Sequence, residues 1–164
     1  MLASCGDDCY VLFYDIRQPH SASKLRAHEK EVNTIQFHPQ ERYLFVTASS
    51  DSTLALWDHR NLSAPLHVLR GHKAEIFSAS WNPTNKNLLA SSGVDRRVML
   101  WDLSRVGKDL GSEGQIGESL PPEQEAEGPP ELVFVHAGHT AKVNDICWNP
   151  DVKSLLWMNR RMSG

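Results

Sequence analysis

Residues 71–104, "GHKAEIFSASWNPTNKNLLASSGVDRRVMLWDLS", decide the fold, because the same residue order recurs on either side. Its first part matches "AHEKEVNTIQFHP" at 27–39 and "GHTAKVNDICWNP" at 138–150. Its second part, "ASSGVDRRVMLWDLS" at 90–104, matches "VTASSDSTLALWDHR" at 46–60 and "ASCGDDCYVLFYDIR" at 3–17. His28 and His72, Asp51 and Asp95, and Trp57 and Trp101 each stand 44 positions apart. From His72 to His139 the interval is 67, so 23 residues have been inserted, and they fall in an acidic stretch.

Within one repeat the side chains alternate with strand period, Val32, Thr34 and Gln36 against Ile35 and Phe37, and Leu54 and Leu56 against Thr53 and Ala55. "FHP", "WNP" and "SSD" supply turn residues between these short runs. Four short strands in about 44 residues bury too little to be stable alone, but stacked radially they share cores with their neighbours. The Gly-His, the Asp six residues before an aromatic and the Trp-Asp pair, at this period and in this order, resemble the WD-repeat family. The resemblance implies an all-β fold of β-propeller blades, here incomplete, about three to four blades of a seven-bladed ring. The expected units are a partial first blade at 1–27, a complete blade at 28–71, a blade at 72–138 with an acidic Pro-Pro insertion at 106–131, and a truncated blade at 139–164.

In such blades a His, a strand Ser or Thr, a turn Asp and an inner Trp form a buried hydrogen-bond chain. By resemblance the sets here are His28, Thr47, Asp51, Trp57 and His72, Ser91, Asp95, Trp101, with Tyr14 where the first Trp would stand. A neighbouring Ser, His and Asp also invite a hydrolase reading. We reject it, because the trio appears in each copy and no GxSxG-like elbow is present. No catalytic residue and no cofactor is expected.

The net charge of −3 is uneven: residues 106–131 carry seven carboxylates against Lys108, a local charge of −6, and the remainder carries +3. Acidity gathered in one place points to a basic partner and away from direct nucleic-acid binding. Cys5, Cys9 and Cys147 lack framework spacing and read as reduced thiols, and Cys5 with Cys9 lacks the second ligand pair of a metal site. No apolar run reaches the roughly 20 residues of a membrane span, and the N-terminus does not resemble a signal peptide, so the expectation is a soluble intracellular chain without membrane contact.

WD-repeat proteins share a fold and differ in what their faces bind. "LLASSGVDRRVMLWDLSRVG" at 88–107, followed by an acidic insertion ending in "EGPPELVFVHAGHTAKVNDICWNP" at 127–150, looks like the nuclear retinoblastoma-binding, Musashi-suppressor-like histone chaperones. These are WD-repeat subunits shared by chromatin assembly, deacetylase and Polycomb complexes. The resemblance implies a nuclear scaffold with core histones, basic peptides and subunits of chromatin-modifying complexes as partners. It makes Glu123, Glu125 and Glu127 carboxylates for histone Lys and Arg, with Pro129 and Pro130 stiffening the loop and Leu132 and Phe134 offering apolar contact. Gln124 and Ala126 fall where the family often has acids. A second family surface is the channel mouth, where Glu31, Asn33, Glu75, Phe77 and Lys142 are expected to meet an Arg- or Lys-rich peptide.

Two departures stand out. The chain begins within a blade, without the family's N-terminal helix, and after Pro150 "DVKSLLWMNRRMSG" lacks the turn Asp and second Trp-Asp-like pair that the repeat demands. An open arc of this kind is expected to be poorly soluble or self-associating. A competing function is substrate receptor of a cullin-type ubiquitin ligase, suggested by "YDIR" at 14–17 and "WDHR" at 57–60. The acidic insertion separates the two, since only a histone binder needs it.

Overall fold

In a computed structural model, which describes residues 1–17, 22–107, 128–149 and 155–156, the chain forms antiparallel sheets. The first sheet runs β1 (Leu2–Cys5), β2 (Tyr10–Tyr14), β3 (Ala22–Arg26). The second runs β4 (Val32–Phe37), β5 (Leu44–Ser49), β6 (Thr53–Asp58), β7 (His67–Arg70). The third runs β8 (Ile76–Trp81), β9 (Leu88–Gly93), β10 (Val98–Asp102), β11 (Leu132–His136). A pair, β12 (Cys147–Trp148) and β13 (Leu155–Leu156), completes the described strands. Each sheet is a meander in which sequence neighbours pair. The first strands β4 and β8 pack side by side, β1 lies against β4, and β12 lies against β8. The sheets therefore stand face to face like blades.

The turns follow from short polar side chains that take the place of backbone partners. At "FHP" the His38 Nδ1 accepts from Gln40 N (3.1 Å) and Glu41 N (2.7 Å). At "WNP" the Asn82 Oδ1 does the same for Thr84 N (2.9 Å) and Asn85 N (2.7 Å). Asp8, Asp51 and Asp95 each receive the backbone N–H two residues on, from Tyr10, Thr53 and Arg97. The residue between takes a left-handed backbone in all three copies: Cys9 at φ 67°, Ser52 at 69° and Arg96 at 63°. Such a residue is uncommon outside glycine, so three at one repeat position mark a turn imposed by the strand register.

Because side chains alternate across a strand, each sheet is a wall with two apolar faces. From β6, Leu54 and Leu56 enter one core with Leu69, Ile76, Trp81, Met99 and Trp101, between the second and third sheets. The intervening Ala55 and Trp57 enter the other, with Val11, Phe13, Leu25 and Phe45 of the first two sheets. Val98 and Ala90 on the far face of the third sheet meet Val143 and Ile146. Each fully buried large side chain contributes roughly 1.5–3 kcal/mol. Close packing explains Gly71, where a Cβ would lie 2.9 Å from Trp101 Cη2 and 3.3 Å from Met99 Sδ.

Polar stitches repeat as well. Trp81 Nε1 donates to Gln36 O (3.1 Å), and Trp148 Nε1 donates to the matching carbonyl one blade back, Ser80 O (2.9 Å).

Candidate functional site

Two polar chains run through the blades. In the second sheet Trp57 Nε1 donates to Thr47 Oγ1 (3.0 Å), Thr47 Oγ1 lies 2.8 Å from His28 Nε2, and His28 Nδ1 lies 3.0 Å from Asp51 Oδ2. In the third, Trp101 Nε1 donates to Ser91 Oγ (2.9 Å), Ser91 Oγ meets His72 Nε2 (2.7 Å), and His72 Nδ1 meets Asp95 Oδ2 (2.9 Å). Thr47, Ser91 and Trp101 are fully buried. Burial pushes the His28 imidazole below its ordinary value despite the opposing pull of Asp51. A neutral ring then donates from Nδ1 and accepts at Nε2, so every proton in the chain has one place to go. For Asp51, burial works to raise the carboxyl, and the bonds from Thr53 together with the His28 ring more than offset it. Asp95 is lowered likewise: burial opposes, while His72 and the backbone N–H groups of Lys73 and Arg97 prevail.

Ser91, His72 and Asp95 thus stand in the order of a hydrolytic triad. The Ser91 hydroxyl, however, has no exposed surface and is occupied on both sides, by the Trp101 donor and the His72 acceptor. Its geometry is that of a strut joining the turn to the strand. Among the described residues no group of three His, Cys, Asp or Glu side chains could hold a metal ion.

At the rim of the first strands, Glu31 and Glu75 are exposed and make no ion pair among the described residues. Their backbones are fixed, since Glu31 O accepts from Ser50 N (3.0 Å) and Glu75 O from Val94 N (2.9 Å). Neighbouring blades therefore present two unpaired carboxylates from β-turn-anchored positions. Lys142 stands at the third such position, with its ammonium 5.2 Å from the Phe77 ring centroid, within cation–π range. Asn33 also has a structural part: its Nδ2 donates to Ile76 O (2.8 Å) and Ser50 Oγ (3.1 Å), so that nitrogen ties two blades together.

Of the acidic insertion, Glu123, Glu125 and Glu127 lie outside the described residues. Leu132 N donates to Pro129 O (2.9 Å), with Pro129 and Pro130 half-buried. Leu132 itself is 6% exposed and packs into the core beside Trp101, so the surface contact expected of it is corrected to core packing. Phe134, half-buried on β11, keeps some surface. Glu131, counted in the sequence among the seven carboxylates of the insertion, is 4% exposed, and its Oε1 accepts from His67 Nε2 (2.9 Å) on the adjoining sheet. Its carbonyl also receives Asp102 N (2.8 Å), which draws the two ends of the insertion together. A signal was present, because Glu131 directly precedes the apolar run of β11, where a carboxylate must be buried or turned away.

Arg17 and Arg60, the arginines of the two Trp-Asp-x-Arg-like boxes, fold back onto their own aspartates. Arg17 bonds Asp15 at 3.1 and 3.0 Å, and Arg60 bonds Asp58 with Nε at 3.0 and Nη2 at 2.6 Å. Those forked bonds hold the Asp15 and Asp58 carboxyls down at about 2.

The description "WD domain, G-beta repeat" matches residues 20–58, 63–102 and 130–156. The WD-40 repeat-containing protein MSI3 of Arabidopsis thaliana is 56% identical over 152 residues, covering 92% of this chain and 34% of that protein. The RbAp48-related WD40 repeat-containing protein prw1 of Schizosaccharomyces pombe is 48% identical over 155 residues, with the same coverage of 92% and 34%. The chain thus spans about a third of the length of these curated relatives. They do not favour the ubiquitin-ligase receptor reading. Repeat geometry and sequence agree: the chain belongs to the WD domain, G-beta repeat family, as an RbAp48/MSI-like WD-repeat protein.

Proposed function

We propose that this chain is a non-enzymatic, histone-binding WD-repeat scaffold of the chaperone type that serves chromatin assembly and modifying complexes in the nucleus. Its partners are core histones, other basic peptides and subunits of those complexes, without direct nucleic-acid or membrane contact and without a cofactor. The observation that carries the reading is the pair of exposed, unpaired carboxylates Glu31 and Glu75 on neighbouring blades, with Phe77 and Lys142 beside them. Two carboxylates at such an edge can take an arginine guanidinium through charge-assisted bonds, and the aromatic ring can cover its stem. The acidic segment with Glu123, Glu125 and Glu127 adds a second cation-binding region, stiffened by Pro129 and Pro130. Glu131 supports this by pinning the base of that segment to His67.

The test is a pull-down of isolated core histones across a salt series, with an arginine-rich peptide binding assay beside it. Replacing Glu31 and Glu75 by Gln should weaken the peptide about ten-fold or more, as expected when charge-assisted bonds are lost. Replacing Glu123, Glu125 and Glu127 by Lys should weaken histone capture most at low salt, since exposed pairs are screened beyond about 8 Å at physiological ionic strength. Unchanged binding in both variants would sink the proposal.

A further inference from the structure

At the end of the third sheet opposite the insertion, a cavity of about 590 Å³ opens between the Asp95 turn and the segment 137–140. Lys73, Arg96, Arg97, His139 and Thr140 line it together with Asp95. Asp95 is bonded to His72 Nδ1 and to the backbone N–H groups of Lys73 and Arg97 and forms no ion pair with the three cations, so its single negative charge leaves the corner net positive. Lys73, Arg96 and Arg97 make no side-chain ion pair among the described residues. Among the described residues, His139 Nε2 is buried with no hydrogen-bond partner. In the two preceding repeats the same nitrogen meets a hydroxyl 19 residues on, Thr47 from His28 and Ser91 from His72, whereas 19 residues on from His139 the sequence has Met158.

The positive character belongs to this corner and not to the repeat. Where the third blade has Lys73, Arg96 and Arg97, the second has Glu29, Ser52 and Thr53. The corner also adjoins the channel mouth: Ala74 lines the cavity, the next residue is Glu75, and Glu75 O receives Val94 N from the same turn.

We propose that this cavity binds the phosphate of a phosphoserine or phosphothreonine carried by a basic peptide lying across the channel mouth, an inference that rests on the Glu31 and Glu75 reading above. Arg96, Arg97 and Lys73 supply cations, and guanidinium forks match phosphate oxygens, with His139 and Thr140 forming the facing wall of the cavity. A nucleic acid fits the surface less well, because a continuous polyanion would run onto Glu31 and Glu75. A peptide that alternates Arg with a phosphoresidue meets both signs of charge in turn.

The test measures anisotropy of paired peptides, each with one arginine and either threonine or phosphothreonine two to four residues away, on the full chain. At one spacing the phosphorylated form should bind about ten-fold more tightly, the gain expected for new charge-assisted bonds. The double variant Arg96→Gly with Arg97→Gln should erase that preference and leave the unphosphorylated affinity unchanged. Glycine suits the left-handed backbone at 96, so the turn is kept. Glu75→Gln should weaken both forms equally. A phosphorylated form no tighter at any spacing, or a preference that survives the double variant, overturns the proposal. So does duplex DNA binding that needs Arg96 and Arg97 while the peptide preference is absent. If neither peptide binds, free phosphothreonine separates the two readings: a shift of the His139 ring resonances, lost in the double variant, keeps the phosphate site while the channel-mouth reading falls. No shift removes both.

Discussion

Ser91 and Ser92 are adjacent, identical in chemistry and both fully buried, yet they should answer oppositely to deletion of the hydroxyl. Ser91 Oγ accepts from Trp101 Nε1 at 2.9 Å and meets His72 Nε2 at 2.7 Å. Ser91→Ala strands both partners in the core between two blades, and each unsatisfied buried group costs about 1–3 kcal/mol, so the variant should lose about 2–5 kcal/mol. Ser92 Oγ is buried without a partner among the described residues, so Ser92→Ala removes a group already paying its desolvation and should be neutral or stabilising by up to about 1 kcal/mol. Urea unfolding followed by tryptophan fluorescence reads the difference. With a slope of about 2 kcal/mol/M, Ser91→Ala should lower the midpoint by about 1–2.5 M while Ser92→Ala leaves or raises it. Adding Trp101→Phe to Ser91→Ala removes one stranded donor, so the second change should cost at least about 1 kcal/mol less there than in the unmodified chain. Equal losses for the two serines would refute the hydrogen-bond chain as a source of stability, and so would an additive cycle.

Acid should loosen the struts in two steps. The folded His28 is held below 6.5, so its contribution is complete above that value and falls as pH drops beneath it; Asp51 and Asp95, held below 3.8, add a further loss as pH falls past their folded values. Unfolding midpoints that rise between pH 7 and 5, or a His28 ring titrating above the ordinary histidine range by NMR, would contradict this. Glu131→Gln should cost about 1–3 kcal/mol by weakening a buried charge-assisted bond to His67, measured by the same urea assay with no loss as the refuting result. Gly93→Ala should destabilise by about 1–3 kcal/mol, because a Cβ there would overlap the Glu75 carbonyl oxygen, and a variant as stable as the unmodified chain would show that the two strands can separate cheaply. In carboxyl NMR, Asp15 and Asp58 should titrate at about 2, and Arg17→Met with Arg60→Met should return both toward 3.8; no movement would show that the forked pairs are absent in solution.

The features legible in the sequence are those with a fixed offset inside one repeat. His28 with Thr47 and Asp51 spans one meander, and strand pairing brings such residues together whatever the neighbouring blades do. The Asp turns at 8, 51 and 95 are local in the same sense. What sequence reasoning missed rests on residues far apart in the chain, for the most part on different blades. Asn33 looked like a free polar group on a strand, and its use for Ile76 O depends on how β8 lies beside β4. Glu131 was counted with the acids of the insertion and Leu132 with its apolar contacts, and the fold gives both of them partners far away in sequence, His67 on the adjoining sheet and Trp101 on the neighbouring strand. No periodicity carries that information. It arises when two walls with similar faces meet and one residue of each must fill a particular gap.

The same division explains how a repeated scaffold can carry unlike surfaces. In each Asp turn the carboxylate is bound to the N–H two residues on, which fixes the backbone but leaves the two following side chains without a structural duty common to the repeats. Those side chains are Cys9 and Tyr10, Ser52 and Thr53, Arg96 and Arg97. The position after each His is similarly unconstrained, with Glu29 in one blade and Lys73 in the next. The left-handed residue at the apex projects from a turn that is rigid because of its neighbour, so a charge placed there is held in position with little entropy left to lose on binding. Substitution at the apex and after each His can therefore reverse the sign of a corner without disturbing the struts beneath, although Thr53 is itself tied into its strut through Asp51 and His28, and the third blade, with two arginines beside a hydrogen-bonded Asp95, is where the described chain has used that freedom to gather positive charge.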